Sequence, residues 1–219
     1  FSKPVSNYDT DVFRPIFDEL ETLSGKTYHS TLPAGEERTK QEEIDVAFRV
    51  IGDHLRALSF SIADGILPGN SDRNYVLRRI LRRAIRYGRN LDFREPFFHK
   101  LVGVLVDQMG GVFPELKERR DLIEKTIRAE EESFNKTLDR GIDLFQREIE
   151  NLQGATTISG AFAFKLYDTF GFPLDLTQLM AREQDVEVDA SAFETEMDKQ
   201  RQRARDARKT TEIKVKTEG

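Results

Sequence analysis

The stretch Val76-Leu77-Arg78-Arg79-Ile80-Leu81-Arg82-Arg83-Ala84-Ile85-Arg86-Tyr87-Gly88-Arg89 decides the fold class. At ~100° per residue, Val76, Leu77, Ile80, Leu81, Ala84, Ile85 and Tyr87 share one half of a helical wheel, and Arg78, Arg79, Arg82, Arg83, Arg86 and Arg89 take the other. The spacing predicts a helix with a buried apolar half and an arginine half that faces solvent or a partner. Inside it no acid stands three or four residues from an arginine until Asp92 and Glu95 near its end. Six like charges on one face repel, so compensation must come from outside the helix. Two sources are open. Acids of other long helices can pair with the arginines, or phosphates can, since a guanidinium fork matches phosphate oxygens. Both can share the face, with inner arginines paired and outer ones on a polyanion.

The charge balance points the same way. From Arg73 to Arg94 there are eight arginines against Asp92, a net +7 in a chain of net charge −5, which leaves −12 for the rest. A basic patch on an acidic body suits a selective polyanion binder better than an indiscriminate one.

Outward from this helix, most of the chain repeats the helical period. Val12, Phe13, Ile16, Phe17 and Leu20 predict a helix with Pro15 in its first turn and Gly25 as its stop. Residues 26–40, with Pro33 and Gly35, read as a loop or short hairpin. Ile44, Ala47, Phe48, Ile51, Leu55, Leu58 and Ile62 predict a helix from about Glu42 to Asp64. Gly65, Pro68, Gly69 and Asn70 form a turn, and Ser71 or Asp72 supplies a cap for the arginine helix. A buried helix is expected over 97–109. A long one is expected from Pro114 to about Leu152, with Gly141 as a bend. Ser159 caps a short helix that stops at Gly171 and Pro173, and Asp175 starts another. Val186-Glu187-Val188 is a brief extended piece. Ser191 and Glu194 form a capping box for a last helix to about Lys209. The alternation Glu212-Ile213-Lys214-Val215-Lys216 reads as a strand, and both ends of the chain read as cuts in a longer protein. The expected architecture is all-α, an irregular set of long helices with at most a minor β-hairpin.

Hydrophobic residues make up 38% and charged residues 33% of the 219, a balance that excludes a disordered chain. No apolar run approaches the ~18 residues of a membrane span. With no cysteine and only His29, His54 and His99 as histidines, neither a disulfide framework nor a zinc site is expected. His54 is expected to be a structural, hydrogen-bonded residue. Phosphate-cradling glycine loops, zinc-helix motifs and nucleophile motifs are all missing, which disfavours an enzyme acting alone.

Two long blocks about 100 residues apart carry a resemblance. The first runs from Asp45-Val46-Ala47-Phe48-Arg49-Val50-Ile51-Gly52-Asp53-His54-Leu55-Arg56 through Ala63-Asp64-Gly65-Ile66-Leu67-Pro68-Gly69-Asn70 to Arg73-Asn74-Tyr75-Val76-Leu77-Arg78-Arg79. The second is Leu166-Tyr167-Asp168-Thr169-Phe170-Gly171-Phe172-Pro173-Leu174-Asp175-Leu176. Both resemble the alanyl-tRNA synthetase family, and Asn7-Tyr8-Asp9-Thr10-Asp11 looks like the segment after the family's last catalytic motif. The family has Arg-Gly-Tyr where this chain has Arg73-Asn74-Tyr75, and an asparagine tolerates the positive φ such a glycine would supply.

The resemblance implies a helical tRNA-recognition segment of a class II alanine–tRNA ligase. It divides the chain into residues 1–40 joining a catalytic core, 41–153 with the arginine helix, and 154–219 leading toward an editing domain. It implies ATP, magnesium and zinc in the parent enzyme and no cofactor in this segment, which alone is expected to be inactive. Its partners would be the acceptor stem of tRNA(Ala) and the remaining domains of the synthetase, in the cytoplasm and away from membranes. Reading of a G·U wobble pair falls, by the family pattern, to Asn70 and Asp168, and the basic stretch adds Arg73, Arg78, Arg79, Arg82, Arg83 and Arg86 as expected contacts of the RNA backbone. The bland readings are a turn asparagine bonding its own backbone, and an aspartate paired with an arginine or capping the turn before Gly171. A helical protein-interaction module that grips an acidic partner is the other functional class.

Overall fold

The computed structural model describes residues 6–32 and 39–217, with side chains as far as Asp206. Pro33 and Gly35 lie outside the described residues. The chain folds as two compact units, residues 1–136 and 137–219.

In the first unit, α1 (Arg14–Ser24) carries Pro15 in its opening turn and ends on Gly25, which takes the left-handed conformation (φ 67°) that closes a helix at little cost. α2 (Lys40–Ala63) opens with a capping box between Thr39 and Glu42, a signal the periodicity did not register. α3 (Asp72–Gly88) is the arginine helix. A 3-10 turn over Phe98–Leu101 leads into α4 (Val102–Met109), so the helix expected over 97–109 forms in two pieces. The helix expected to run unbroken from Pro114 is also divided. α5 (Pro114–Glu118) ends at Arg119, whose backbone (φ −107°, ψ 9°) leaves the helical region before α6 (Arg120–Asn151) begins. The division between the two units falls within α6.

The core of this unit is aromatic and aliphatic. Phe17, Phe48, Phe97, Phe98 and Phe134 are all but fully buried beside Ile51, Leu55 and Leu58. The rings of Phe17 and Phe48 meet edge-on, 5.6 Å apart, and Tyr28 joins them. Gly88 is required by this packing, because a Cβ there would lie 2.3 Å from the Phe97 ring. Two buried acids organise loops around the core. Asp45 accepts hydrogen bonds from the backbone N–H groups of His29 and Thr31, from the Thr31 hydroxyl and from Gln41 Nε2. Glu131 accepts the N–H groups of Phe97 and Phe98 and meets His99 Nδ1 at 3.0 Å. Each carboxylate replaces lost water with several donors, as a buried charge must.

In the second unit, β1 (Thr157–Ile158) precedes α7 (Gly160–Phe170), whose start is capped by the Ser159 hydroxyl as expected. Gly171 ends α7 in the left-handed conformation, and Phe172 N–H reaches back to the Leu166 carbonyl, the bond pattern of a tight helix stop. α8 (Leu174–Arg182) follows, then β2 (Glu187–Val188) and α9 (Ala190–Thr217).

The extended piece around Glu187 is therefore real, and the described part of residues 26–40 forms no strand. β1 and β2 pair in parallel, Thr157 with Glu187 and Ile158 with Val188, and parallel strands require a crossover, here α7 and α8. The last helix is capped by Asp189, whose carboxylate accepts Ala192 N–H at 2.9 Å, and not by the expected Ser191–Glu194 box. It also continues through 212–216, where alternation predicted a strand. Extending a helix already formed is easier than nucleating a new element, so five alternating residues do not end it. The all-α reading holds, with a two-residue parallel ladder as its β content among the described residues.

Candidate functional site

Asn70 sits in the turn between α2 and α3. Ile66 N–H donates to the Ser61 carbonyl and Gly69 N–H to the Asn74 carbonyl, which closes the turn on the first residues of α3. The positive φ in this turn falls on Asp72 (50°) and not on Asn74, which is already helical. The departure from Arg-Gly-Tyr thus leaves the backbone path unstrained at residue 74. Its effect is on packing, since a Cβ on Gly69 would stand 2.9 Å from the Asn74 Cβ. Ser71 occupies the cap position of α3 without making a side-chain cap bond.

The Asn70 side chain is exposed, yet it is tied at one atom. Arg78 Nη1 donates to Asn70 Oδ1. A guanidinium has only donors, so the amide must turn its oxygen toward Arg78 and keep its NH2 group for another acceptor. Arg78 is itself held by Glu130 of α6, through Nε at 2.9 Å and Nη2 at 3.1 Å. The same carboxylate takes Arg82, through Nε at 2.9 Å and Nη2 at 2.6 Å. The side chains of Arg78, Arg82 and Glu130 are only 20%, 15% and 11% exposed, so this is a half-buried cluster and not a surface pair. The compensation expected from outside the arginine helix is supplied, for these two residues, by an acid of another long helix.

The other arginines differ in setting. Arg82 also lies 5.1 Å from the centre of the Phe134 ring, Arg79 5.9 Å from Tyr75 and Arg86 5.3 Å from Tyr87. Arg79, Arg83, Arg86 and Arg89 are half-buried and none is without a partner. Arg73, in the first turn of α3, is exposed and makes no ion pair among the described residues. The apolar half of α3 is narrower than the wheel suggests. Leu77, Leu81, Ala84 and Ile85 are buried, whereas Val76, turned ~100° from Leu77, is 47% exposed.

Asp168 lies in the second unit, inside the last turns of α7 and not in the turn that follows it. It is exposed, and its Oδ1 accepts a hydrogen bond from Gln200 Nε2 of α9 at 2.5 Å. No arginine pairs with it among the described residues. A carboxylate near a helix C-terminus opposes the helix dipole, so Asp168 stands in an electrostatically unfavourable place.

Glu130 and Gln200 were not singled out by sequence reasoning. The acidic run Glu130-Glu131-Glu132 in a long helix was the available signal for the first, and Gln200 gave none. His54 is half-buried beside the arginine helix. Burial, then the charge of Arg83, lowers its pKa to about 4, with Asp53 acting in the opposite direction. Its Nε2 meets no hydrogen-bond partner among the described residues, so this end of the ring departs from the expected hydrogen-bonded role. Among the described residues no group of three or more His, Asp or Glu side chains is placed to hold a metal ion, and no helix is long and apolar enough to cross a membrane.

A profile of the family described as class II (A) tRNA synthetases matches residues 2–219. The chain is 56% identical over 222 residues to an alanine–tRNA ligase of Akkermansia muciniphila, covering 98% of this chain and 23% of that one. It is 47% identical over 242 residues to that of Opitutus terrae, covering 100% and 26%, and 52% identical over 206 residues to that of Chlorobaculum tepidum, covering 93% and 22%. The chain spans about a quarter of the length of these relatives.

Proposed function

Because the chain belongs to the family of class II (A) tRNA synthetases, we propose that it is the segment of an alanine–tRNA ligase that recognises the acceptor stem of tRNA(Ala) and reads its G·U wobble pair. A-form RNA presents base edges and 2′-hydroxyls in a wide, shallow minor groove. In a wobble pair the guanine 2-amino group has no base partner, and the displaced uracil offers an acceptor. One donor and one acceptor on the protein fit this pair. The exposed Asn70 amide, with its oxygen engaged by Arg78 and its NH2 group available as the donor, is the observation that supports the reading. Asp168 is then the acceptor for the guanine amino group.

Arg73 is the first phosphate ligand we assign, on its exposure at the start of α3. Arg79, Arg83 and Arg86 add positive field along the same helix. Arg78 and Arg82 contribute through their cluster with Glu130. We place ATP and magnesium, and the zinc of the family, in the longer protein, together with the partner domains and a cytoplasmic setting.

The test is a titration of acceptor-stem minihelices carrying G·U or G·C. Tighter binding of the G·U stem, with a steep loss of affinity as salt rises, supports the reading. Equal affinity for both stems and for an unrelated duplex overturns it. An acidic helical peptide competing at the same affinity would favour the protein-interaction class instead.

A further inference from the structure

We propose that Arg78, clamped by Glu130, is a positioning residue that holds the Asn70 amide in one orientation and so decides which base edges it accepts. This rests on the reading of Asn70 given above. An exposed asparagine on a turn has two nearly isosteric orientations. One presents a carbonyl oxygen and the other an NH2 group, and a reader free to choose between them pairs with donors and acceptors alike. Here the choice is removed. Arg78 directs Nη1 at Asn70 Oδ1, and the flipped amide would set two donors face to face.

The guanidinium is fixed in turn. Its Nη2 donates to one oxygen of Glu130 at 3.1 Å, and its Nε lies 2.9 Å from the other at ion-pair distance without a hydrogen bond. That leaves Nη1 pointing at the turn, with the fork's planarity setting its direction. Glu130 also receives Arg82, so the carboxylate cannot follow Arg78 if that side chain moves. The chain Glu130, Arg78, Asn70 therefore carries the rigidity of α6 and α3 to an exposed turn. Lysine at position 78 cannot do this, because a single ammonium group on a flexible stem cannot hold the carboxylate with one nitrogen and aim another at a fixed angle.

The experiment uses the full-length synthetase that contains this segment, charging minihelices that carry G·U or G·C. Arg78→Lys, which keeps the charge, should lower the G·U over G·C ratio of kcat/KM by about tenfold, mainly through a rise in activity on G·C relative to G·U. Glu130→Gln, which keeps the shape, should lower it by a smaller factor. The double variant Asn70→Ala with Arg78→Lys should discriminate no worse than Asn70→Ala alone, since Arg78 acts through Asn70. A residue with only a structural role would lower the melting temperature and depress both substrates in parallel, and that result overturns the proposal. So does a ratio left unchanged by Arg78→Lys while Asn70→Ala reduces it. If Asn70→Ala itself leaves the ratio untouched, the reading of Asn70 fails, and the positioning role fails with it.

Discussion

Gly141 lies under the ring of Phe172 so closely that a Cβ there would stand 2.3 Å from Phe172 Cε2. In an exposed helix, glycine to alanine gains about 1 kcal/mol through backbone entropy. Here the sign reverses. Gly141→Ala should destabilise the chain by about 2–3 kcal/mol, a cost in the range of overpacked cores. Phe172→Leu in the same chain should recover part of the loss. Urea denaturation of the two single variants and the double gives the answer, and additive losses would mean the two residues are not in contact.

Arg73 and Arg82 should separate binding from stability. Arg82→Ala removes one partner of a half-buried cluster and should cost about 1–3 kcal/mol of stability, with Glu130 left short of a donor. Arg73→Ala should leave the melting temperature within error. It should instead weaken binding of every acceptor stem alike and reduce the salt slope by about one ion. The reverse assignment of effects would exchange their roles.

Asp168→Asn should show stability and recognition moving in opposite directions. Removing a negative charge from the last turns of α7 should raise stability by about 0.3–1 kcal/mol. The same change removes a charged acceptor for the guanine amino group, so the parent enzyme should charge a G·U substrate roughly tenfold less well, a loss of about 1.4 kcal/mol. Thermal unfolding and charging kinetics on the same variant decide the matter. A loss of stability together with equal losses on G·U and G·C stems would make Asp168 a structural residue.

His54 should make stability fall with acid. Its folded pKa of about 4 lies below the value of 6.5 for a free histidine, so between these limits the unfolded chain binds a proton that the folded chain does not. Stability is then complete above pH ~6.5 and declines as pH falls toward 4, by at most about 3 kcal/mol. His54→Gln should flatten that decline. Denaturation curves at pH 7, 6 and 5 for both proteins test it, and identical pH profiles would place the titration elsewhere.

How much of this could be read from the sequence depended on whether the cause was local. The helix of residues 72–88 was legible because its own side chains alternate by face, and Gly25 and Gly171 were legible as stops because the backbone there must turn left-handed. The break at Arg119 carries no glycine or proline of its own, so periodicity ran through it. Gly141 was read as a bend because nothing nearby in sequence names Phe172 as the ring that fills its place. The candidate site divides in the same way. Asn70 and Asp168 stood out through the resemblance of their blocks. Glu130 is 52 residues from Arg78, and Gln200 is 32 from Asp168, separations that no local pattern spans.

The consecutive acids Glu130 and Glu131 act as a rotational key for α6. Neighbouring residues on a helix diverge by ~100°, and these two reach different clients, Glu130 the arginines of α3 and Glu131 the amides of Phe97 and Phe98. The setting of the helix about its own axis decides which residue each client meets. A slip that carried Ala129 into the place of Glu130 would leave the arginines without this carboxylate and aim Glu130 at the buried amides. The charge would be unchanged and the composition identical, yet the contact with the arginines would open. Insertion of an alanine before Glu130 would impose that slip without removing a single acid, and the orientation of the Asn70 amide is set in part by the phase of a helix 60 residues away.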